Sequence, residues 1–195
     1  MKKYDNSSIS ALKGADRVRK RPAVIFGSDG VEGCEHSMFE ILSNSIDEAR
    51  EGFGSTITVT RYADMSIEVE DFGRGIPVDY NEKEKRYNWE LVFCELYAGG
   101  KYNNNDGGDY EYSLGLNGLG ACATQYSSEY MDVEILRDGF KFNLHFEHGK
   151  NVGGLGKTEF RHRHTGTKIH WKPDLKVFTS IDIPVENYHL VLKRQ

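Results

Sequence analysis

Residues 34–70 read CEHSMFEILSNSIDEAREGFGSTITVTRYADMSIEVE, and the fold turns on the change of period inside them. In the first half Met38, Ile41, Leu42, Ile46, Ala49 and Phe53 recur at spacings of three and four, the stripe of an amphipathic helix across 34–53. In the second half residues 56–61 (TITVTR) and 66–70 (SIEVE) alternate apolar and polar groups, which predicts two half-buried strands that pair. Further strands are expected at 130–136, 141–148, 157–162 and 167–172, with Arg137, Asp138 and Gly139 as a hairpin turn. A short helix is expected at 12–20, stopped by Pro22, and a Gly-containing loop at 27–33. Other helices are expected at 88–98, broken by Gly99 and Gly100, at 121–126 and at 184–193. Helices early and strands late predict an α+β fold: a two-layer sandwich with helices on one face of a mixed, largely antiparallel sheet.

At 195 residues the chain suits one domain with a real core, and 38% hydrophobic with 28% charged residues suits a soluble protein. No apolar run is long enough to span a bilayer, and MKKYDNSSIS lacks a secretory signal, so no membrane and a cytoplasmic location are expected. The first residues are polar and aperiodic, which divides the chain into an arm at 1–15 and a domain at 16–195. Cys34, Cys94 and Cys122 form no CxxC pair and read as buried reduced thiols. A net charge of −5 opposes binding to a phosphate backbone unless basic groups gather on one face. Arg17, Arg19, Lys20 and Arg21 are the one dense basic cluster, either a solvated helix end or a nucleic-acid contact. His162 and His164 read as a solvated strand edge, with transition-metal ligation as the alternative.

Four local patterns carry chemistry. Glu40 and Asn44 lie four residues apart and so share a helix face, opposite the apolar stripe. A carboxylate there can position water and an amide oxygen can meet magnesium, although both types are ordinary on a polar helix face. Asp71-Phe72-Gly73-Arg74-Gly75 follows a strand; its carboxylate can accept from an exocyclic amine and its glycines let a flat ring approach, but DxGxG also suits a plain turn. Gly115-Leu116-Asn117-Gly118-Leu119-Gly120 runs into a helix near Ala121, where free N–H groups can bind phosphate. Its GxxGxG spacing fits neither a Walker loop nor a dinucleotide fingerprint. Lys101 precedes it as a possible phosphate partner, and Thr165-Gly166-Thr167 opens a strand with hydroxyls that donate and accept.

In this order the four patterns resemble the GHKL class of ATPases. YDNSSISALKGADRVRKRP, FEILSNSIDEA, DFGRGIP, LYAGGKY and GLNGLG narrow the resemblance to the ATPase-bearing B-type subunits of type IIA topoisomerases, gyrase and topoisomerase IV. The resemblance implies that Glu40 activates the attacking water, that Asn44 is the protein ligand to Mg2+, and that Asp71 reads the adenine amine of ATP. Gly75 and Thr167 would lie by the adenine, Ile76 and Pro77 would form an apolar shelf, and Arg74 would pair with Glu48 at the mouth. Residues 99–120 resemble the ATP lid, with Gly100, Lys101, Gly115, Leu116, Asn117, Gly118, Leu119, Gly120 and Ala121 around the triphosphate. The arm with Tyr4 and Ile9 resembles the strap that crosses to a second copy in a homodimer, where Tyr4 would touch the partner's nucleotide. Asp71, Arg74, Pro77, Arg137 and Thr167 would contact aminocoumarin-type inhibitors.

The sequence departs from that pattern at Ser43 and Ser45, where Asp and Ala are usual, and at Asn117, where His is usual. The family's transducer and metal-binding domains do not fit in this length, so a fragment is expected that binds nucleotide, turns it over slowly and does not cleave DNA. A gyrase A-type subunit and DNA are the expected partners of the full enzyme. A GHKL chaperone, a mismatch-repair clamp, a histidine kinase and a non-enzymatic interaction module are the alternatives.

Overall fold

The computed structural model describes residues 12–96, 120–161 and 163–193, the last four by their backbone alone. Six strands form one sheet in the order β1 (Ile57–Arg61), β2 (Ile67–Asp71), β8 (Gly166–Pro173), β5 (Ser128–Arg137), β6 (Phe140–Glu147) and β7 (Lys150–Glu159). Every pairing in it is antiparallel, so the sheet expected to be mixed is antiparallel across its described strands. A small hairpin of β3 (Tyr80–Asn81) and β4 (Arg86–Tyr87) stands apart. The helices are α1 (Asp16–Arg19), α2 (Pro22–Phe26), α3 (Val31–Arg50), α4 (Asn88–Cys94), α5 (Gly120–Tyr126) and α6 (Val185–Lys193). Helix α3 packs against β2 and β8, and α5 against α3 and β5, giving the expected two layers.

Strand alternation builds the inner face. Ile67 and Val69, Met131, Val133 and Ile135, Phe142, Leu144 and Phe146, and Ile169 and Trp171 are all buried. Met38, Ile41 and Leu42 of α3 with Cys122 and Ala123 of α5 close the layer from above, each large side chain contributing about 1.5–3 kcal/mol by leaving water. The turns follow from left-handed residues: Asp138 and Gly139 have φ of 53° and 78°, and His148 and Gly149 have 47° and 85°, the two-residue pattern that matches strand twist.

Several boundaries differ from expectation. Pro22 does stop α1, but it also opens α2 from the first helical position, where a missing N–H removes no bond. The loop expected at 27–33 is shorter, because Gly27 (φ 77°) ends α2 and α3 starts at Val31. Helix α3 stops at Arg50, so Phe53 is not on the buried stripe; it is 41% exposed, under the Arg74 guanidinium at 3.8 Å. The polar residues Ser37, Ser45 and Asp47 take up part of that buried face. Strand β7 starts earlier than expected and ends at Glu159, so His164 lies beyond it, against the Phe160 ring, and the alternating-strand argument for a histidine pair does not apply. Helix α4 ends at Cys94, with Glu95 already extended, short of the expected 98. Residues 97–98 and His162 lie outside the described residues, as do Tyr4, Ile9, Gly100, Lys101 and residues 115–119.

The basic cluster is dispersed rather than presented on one face. Arg19 turns inward, pairing with Asp174 and donating to the carbonyls of Tyr126 (3.0 Å) and Ser128 (3.3 Å), and so ties α1 to the end of α5 and the start of β5. Arg17 donates to the Leu12 carbonyl and Lys20 pairs with Asp16. Asp174 also meets His148 Nδ1 at 3.0 Å and the Lys176 N–H at 2.8 Å. Burial pushes its carboxyl up, but the hydrogen bonds from Arg19, Lys176 and His148 outweigh burial and hold it below 3.8. A depressed folded value means the pair's stabilisation is complete above the ordinary value and is lost as pH falls through the lowered one. We expect Arg19→Ala to cost about 2–4 kcal/mol in urea denaturation at neutral pH, because it leaves a buried carboxylate without its cation. The penalty should shrink at acid pH; a penalty under about 0.5 kcal/mol at neutral pH would exclude the anchor.

Candidate nucleotide site

Strand β2 extends one residue further than the sequence pattern implies, and this decides where Asp71 points. Ile67, Val69 and Asp71 alternate on one face, so the carboxylate ends a row of core side chains and is only 9% exposed. A charge there needs donors. Oδ1 accepts the N–H groups of Gly73 (3.0 Å) and Thr167 (3.2 Å), and Oδ2 accepts the Ser45 hydroxyl (2.8 Å). The strand end, the following turn, β8 and α3 thus meet on one carboxylate.

The glycines around it have steric causes. A Cβ on Gly166 would lie 2.1 Å from the Asp71 carbonyl oxygen, so only glycine lets β8 pass there. Gly75 has φ of 77°, and a Cβ would come within 2.8 Å of the Leu136 carbonyl oxygen. Thr165 donates to the Gly73 carbonyl (2.6 Å), and Thr167 Oγ1 accepts the Ile76 N–H (3.2 Å). Thr165-Gly166-Thr167, ordinary as a sequence, therefore grips the turn after β2 at three successive positions. Ile76 is half-buried and Pro77 exposed, which leaves apolar surface beside this floor. Arg137, from the β5–β6 turn, donates to the Gly75 carbonyl at 2.8 Å and so joins the same rim. Arg74 forms the expected pair with Glu48 (2.7 Å) and a second with Glu51 that the sequence did not suggest. Both carboxylates push the guanidinium further up, the hydrogen bonds it donates to Glu48 acting most strongly.

The other end lies on α3. Glu40 is half-buried and Asn44 exposed, one turn apart, as the spacing requires. A Cβ on Gly120 would lie 2.4 Å from Glu40 Oε2, so the first residue of α5 is pressed against this carboxylate. Gly120 and Ala121 are the described part of the glycine-rich segment.

His36 is a functional candidate the sequence reading missed, although four-residue spacing from Glu40 could have found it. Its Nε2 lies 3.1 Å from Glu40 Oε1 and its Nδ1 3.2 Å from the Phe26 carbonyl oxygen, so both ring nitrogens face acceptors. The Glu40 hydrogen bond raises the imidazole above 6.5, with burial opposing. Ser45 was likewise legible only as a departure, yet it is three and four residues from Leu42 and Ile41 and so lies on the buried face.

The cysteines are free thiols, Cys34 and Cys122 buried and Cys94 half-buried. Burial pushes the thiol of Cys34 up to about 12 and that of Cys94 to about 11, and it raises Cys122 as well, as inert reduced thiols require. Among the described residues no three His, Cys, Asp or Glu side chains group as a metal cage, and no helix is long and apolar enough to cross a membrane.

The histidine kinase-, DNA gyrase B- and HSP90-like ATPase family matches residues 31–177, from the start of α3 to beyond β8. The chain is 40% identical over 185 residues to the DNA gyrase B protein of Thermotoga maritima, an alignment covering 93% of this chain and 28% of that one. It is 41% identical over 181 residues to the corresponding B protein of DNA topoisomerase 4 from Staphylococcus epidermidis, covering 91% of this chain and 26% of that one. Among solved structures, the 43K ATPase domain of Thermus thermophilus gyrase B, in complex with an aminocoumarin, superposes with a TM-score of 0.77 at 33% identity, covering 92% of this chain and 44% of that one. The ATP-binding domain of Francisella tularensis topoisomerase IV, in complex with a small-molecule inhibitor, gives 0.76 at 32%, covering 94% and 84%. The chain spans about a quarter of the length of the curated relatives it matches. With the family match running through α3, Asp71 and Thr167, the chain belongs to the histidine kinase-, DNA gyrase B- and HSP90-like ATPases.

Proposed function

We propose that the chain binds ATP with Mg2+ and serves as the ATPase domain of a type IIA topoisomerase of the gyrase type, where nucleotide-driven dimer closure is coupled to DNA strand passage. The observation that carries the reading is the buried Asp71 carboxylate, fixed by three donors with acceptor capacity left on Oδ2. An exocyclic adenine amine supplies the missing donor, and the backbone at Gly75 has no side chain to obstruct a ring.

Glu40 takes the part of general base, with His36 holding one carboxylate oxygen while the Phe26 carbonyl steadies the ring. Asn44 offers an exposed carboxamide oxygen one turn away, a hard neutral donor of the kind magnesium accepts beside phosphate oxygens and waters. When bound there, the ion would neutralise charge on the triphosphate. Gly120 and Ala121 bring backbone to the Glu40 end, and Lys101 and residues 115–119 are assigned to the triphosphate on the resemblance. Positioning and charge neutralisation are most of what phosphoryl transfer asks of a protein.

Gyrase and topoisomerase IV relatives are about equally similar, so the topoisomerase IV counterpart is the second reading. A second copy joined through the arm around Tyr4, a gyrase A-type subunit and DNA are partners under either reading. Asp71, Arg74, Pro77, Arg137 and Thr167 form the rim assigned to aminocoumarin-type inhibitors, supported by the ligand of the Thermus thermophilus relative and by the Arg137 bond to Gly75. Cytoplasmic location belongs to the same proposal.

Calorimetry with the β,γ-imido analogue of ATP and magnesium tests the adenine assignment. Asp71→Asn should weaken binding about 10- to 100-fold, since it replaces a charged acceptor buried against donors; unchanged affinity refutes the assignment. For Glu40→Ala, analogue binding should stay within about twofold while any ATP turnover falls about 100-fold or more. Equal losses in binding and turnover would remove Glu40 from the role of base.

A further inference from the structure

Resting on the assignment of Asp71 to a purine amine, the contacts below that carboxylate point to a second determinant of base choice. Each carboxylate oxygen accepts about two hydrogen bonds. Oδ1 is filled by the Gly73 and Thr167 N–H groups, whereas Oδ2 holds the Ser45 hydroxyl alone. Ser45 is 5% exposed, and its single hydroxyl hydrogen goes to Asp71, so its oxygen can now only accept. Between them Asp71 Oδ2 and Ser45 Oγ therefore present only acceptors to a ligand.

We infer that Ser45 is a positioning and specificity residue: by donating to Asp71 Oδ2 it holds the carboxylate in one rotamer and makes the pocket select a 6-amino purine over a 6-oxo purine. A 6-amino group donates into the remaining lone pair. A 6-oxo group brings its own lone pairs against Asp71 Oδ2 and Ser45 Oγ and leaves three acceptors facing one another, an arrangement that discriminates strongly in a buried site. Removing the hydroxyl takes one of three donors from the carboxylate, which frees Oδ2 to turn from the amine, and removes one of the acceptors that repel a 6-oxo group. The loss should thus fall on the amine and not on the oxo base.

The test is calorimetry on the whole chain with magnesium and the β,γ-imido analogues of ATP and ITP, for the wild type, Ser45→Ala, Ser45→Thr and Asp71→Asn. In Ser45→Ala the ATP analogue should bind about three- to tenfold more weakly, while the ITP analogue holds or gains affinity, so the preference ratio narrows. Ser45→Thr, which keeps the hydroxyl, should preserve the ratio. Equal weakening of both analogues in Ser45→Ala assigns the residue a merely structural role and overturns the inference, as does an unchanged ratio. If Asp71→Asn keeps its ATP-analogue affinity, the adenine assignment itself fails and this inference with it; if Asp71→Asn loses affinity while Ser45→Ala keeps the ratio, only the role of Ser45 fails.

Discussion

The structure is organised around a carboxylate that ends an apolar row. Ile67 and Val69 carry β2 through the core, and Asp71 occupies the next inward position, where an uncompensated charge would be costly. Compensation comes from the turn at Gly73, from β8 at Thr167 and from α3 at Ser45. Satisfying one side chain therefore fixes how the helix layer and the sheet meet at this end. Gly166 and Gly75 follow from the same constraint, because the strands and turn that supply the donors must pass within contact distance of one another. Fold stability and the proposed base recognition rest on the same hydrogen bonds.

The Glu40 end is built differently. It lies on the open side of α3, where Asn44 is exposed and His36 shares contact with the helix end before it. The close approach of Gly120 joins it to α5, and α5 is tied to α3 by the Thr124 hydroxyl, which donates to the Ser37 carbonyl at 3.0 Å. One end of the site is thus a buried, well-bonded floor, and the other an accessible set of oxygen groups. That division suits a ligand whose base needs discrimination and whose phosphates need charge compensation and water.

Most of the fold was legible in the periodicity. The 34–53 stripe, the paired strands after it and the late strands all correspond to observed elements, because local pattern and tertiary burial agree there. The misses have specific causes. Helix α2 hides behind Pro22, which reads as a stop but is equally suited to a first turn. Phe53 falls on the helical stripe by spacing, yet the chain has already left the helix and the ring stacks under Arg74. For the site, the sequence identified Glu40, Asn44, Asp71, Gly75 and Thr167 as candidates, and the structure brings Asp71, Thr167 and the turn at Gly75 together. Ser45 and Glu51 act through partners distant in sequence, set by tertiary side-chain direction that no short motif encodes, whereas the His36–Glu40 contact follows from four-residue spacing.

The most direct measurement is a crystal structure of the chain with the β,γ-imido analogue of ATP and magnesium. The adenine amine should lie about 3 Å from Asp71 Oδ2, with magnesium within about 2.1 Å of the Asn44 carboxamide oxygen and the γ-phosphate on the Glu40 side of α3. An adenine that turns its amine away from Asp71, or a nucleotide seated elsewhere on the domain, would be incompatible with the proposed site.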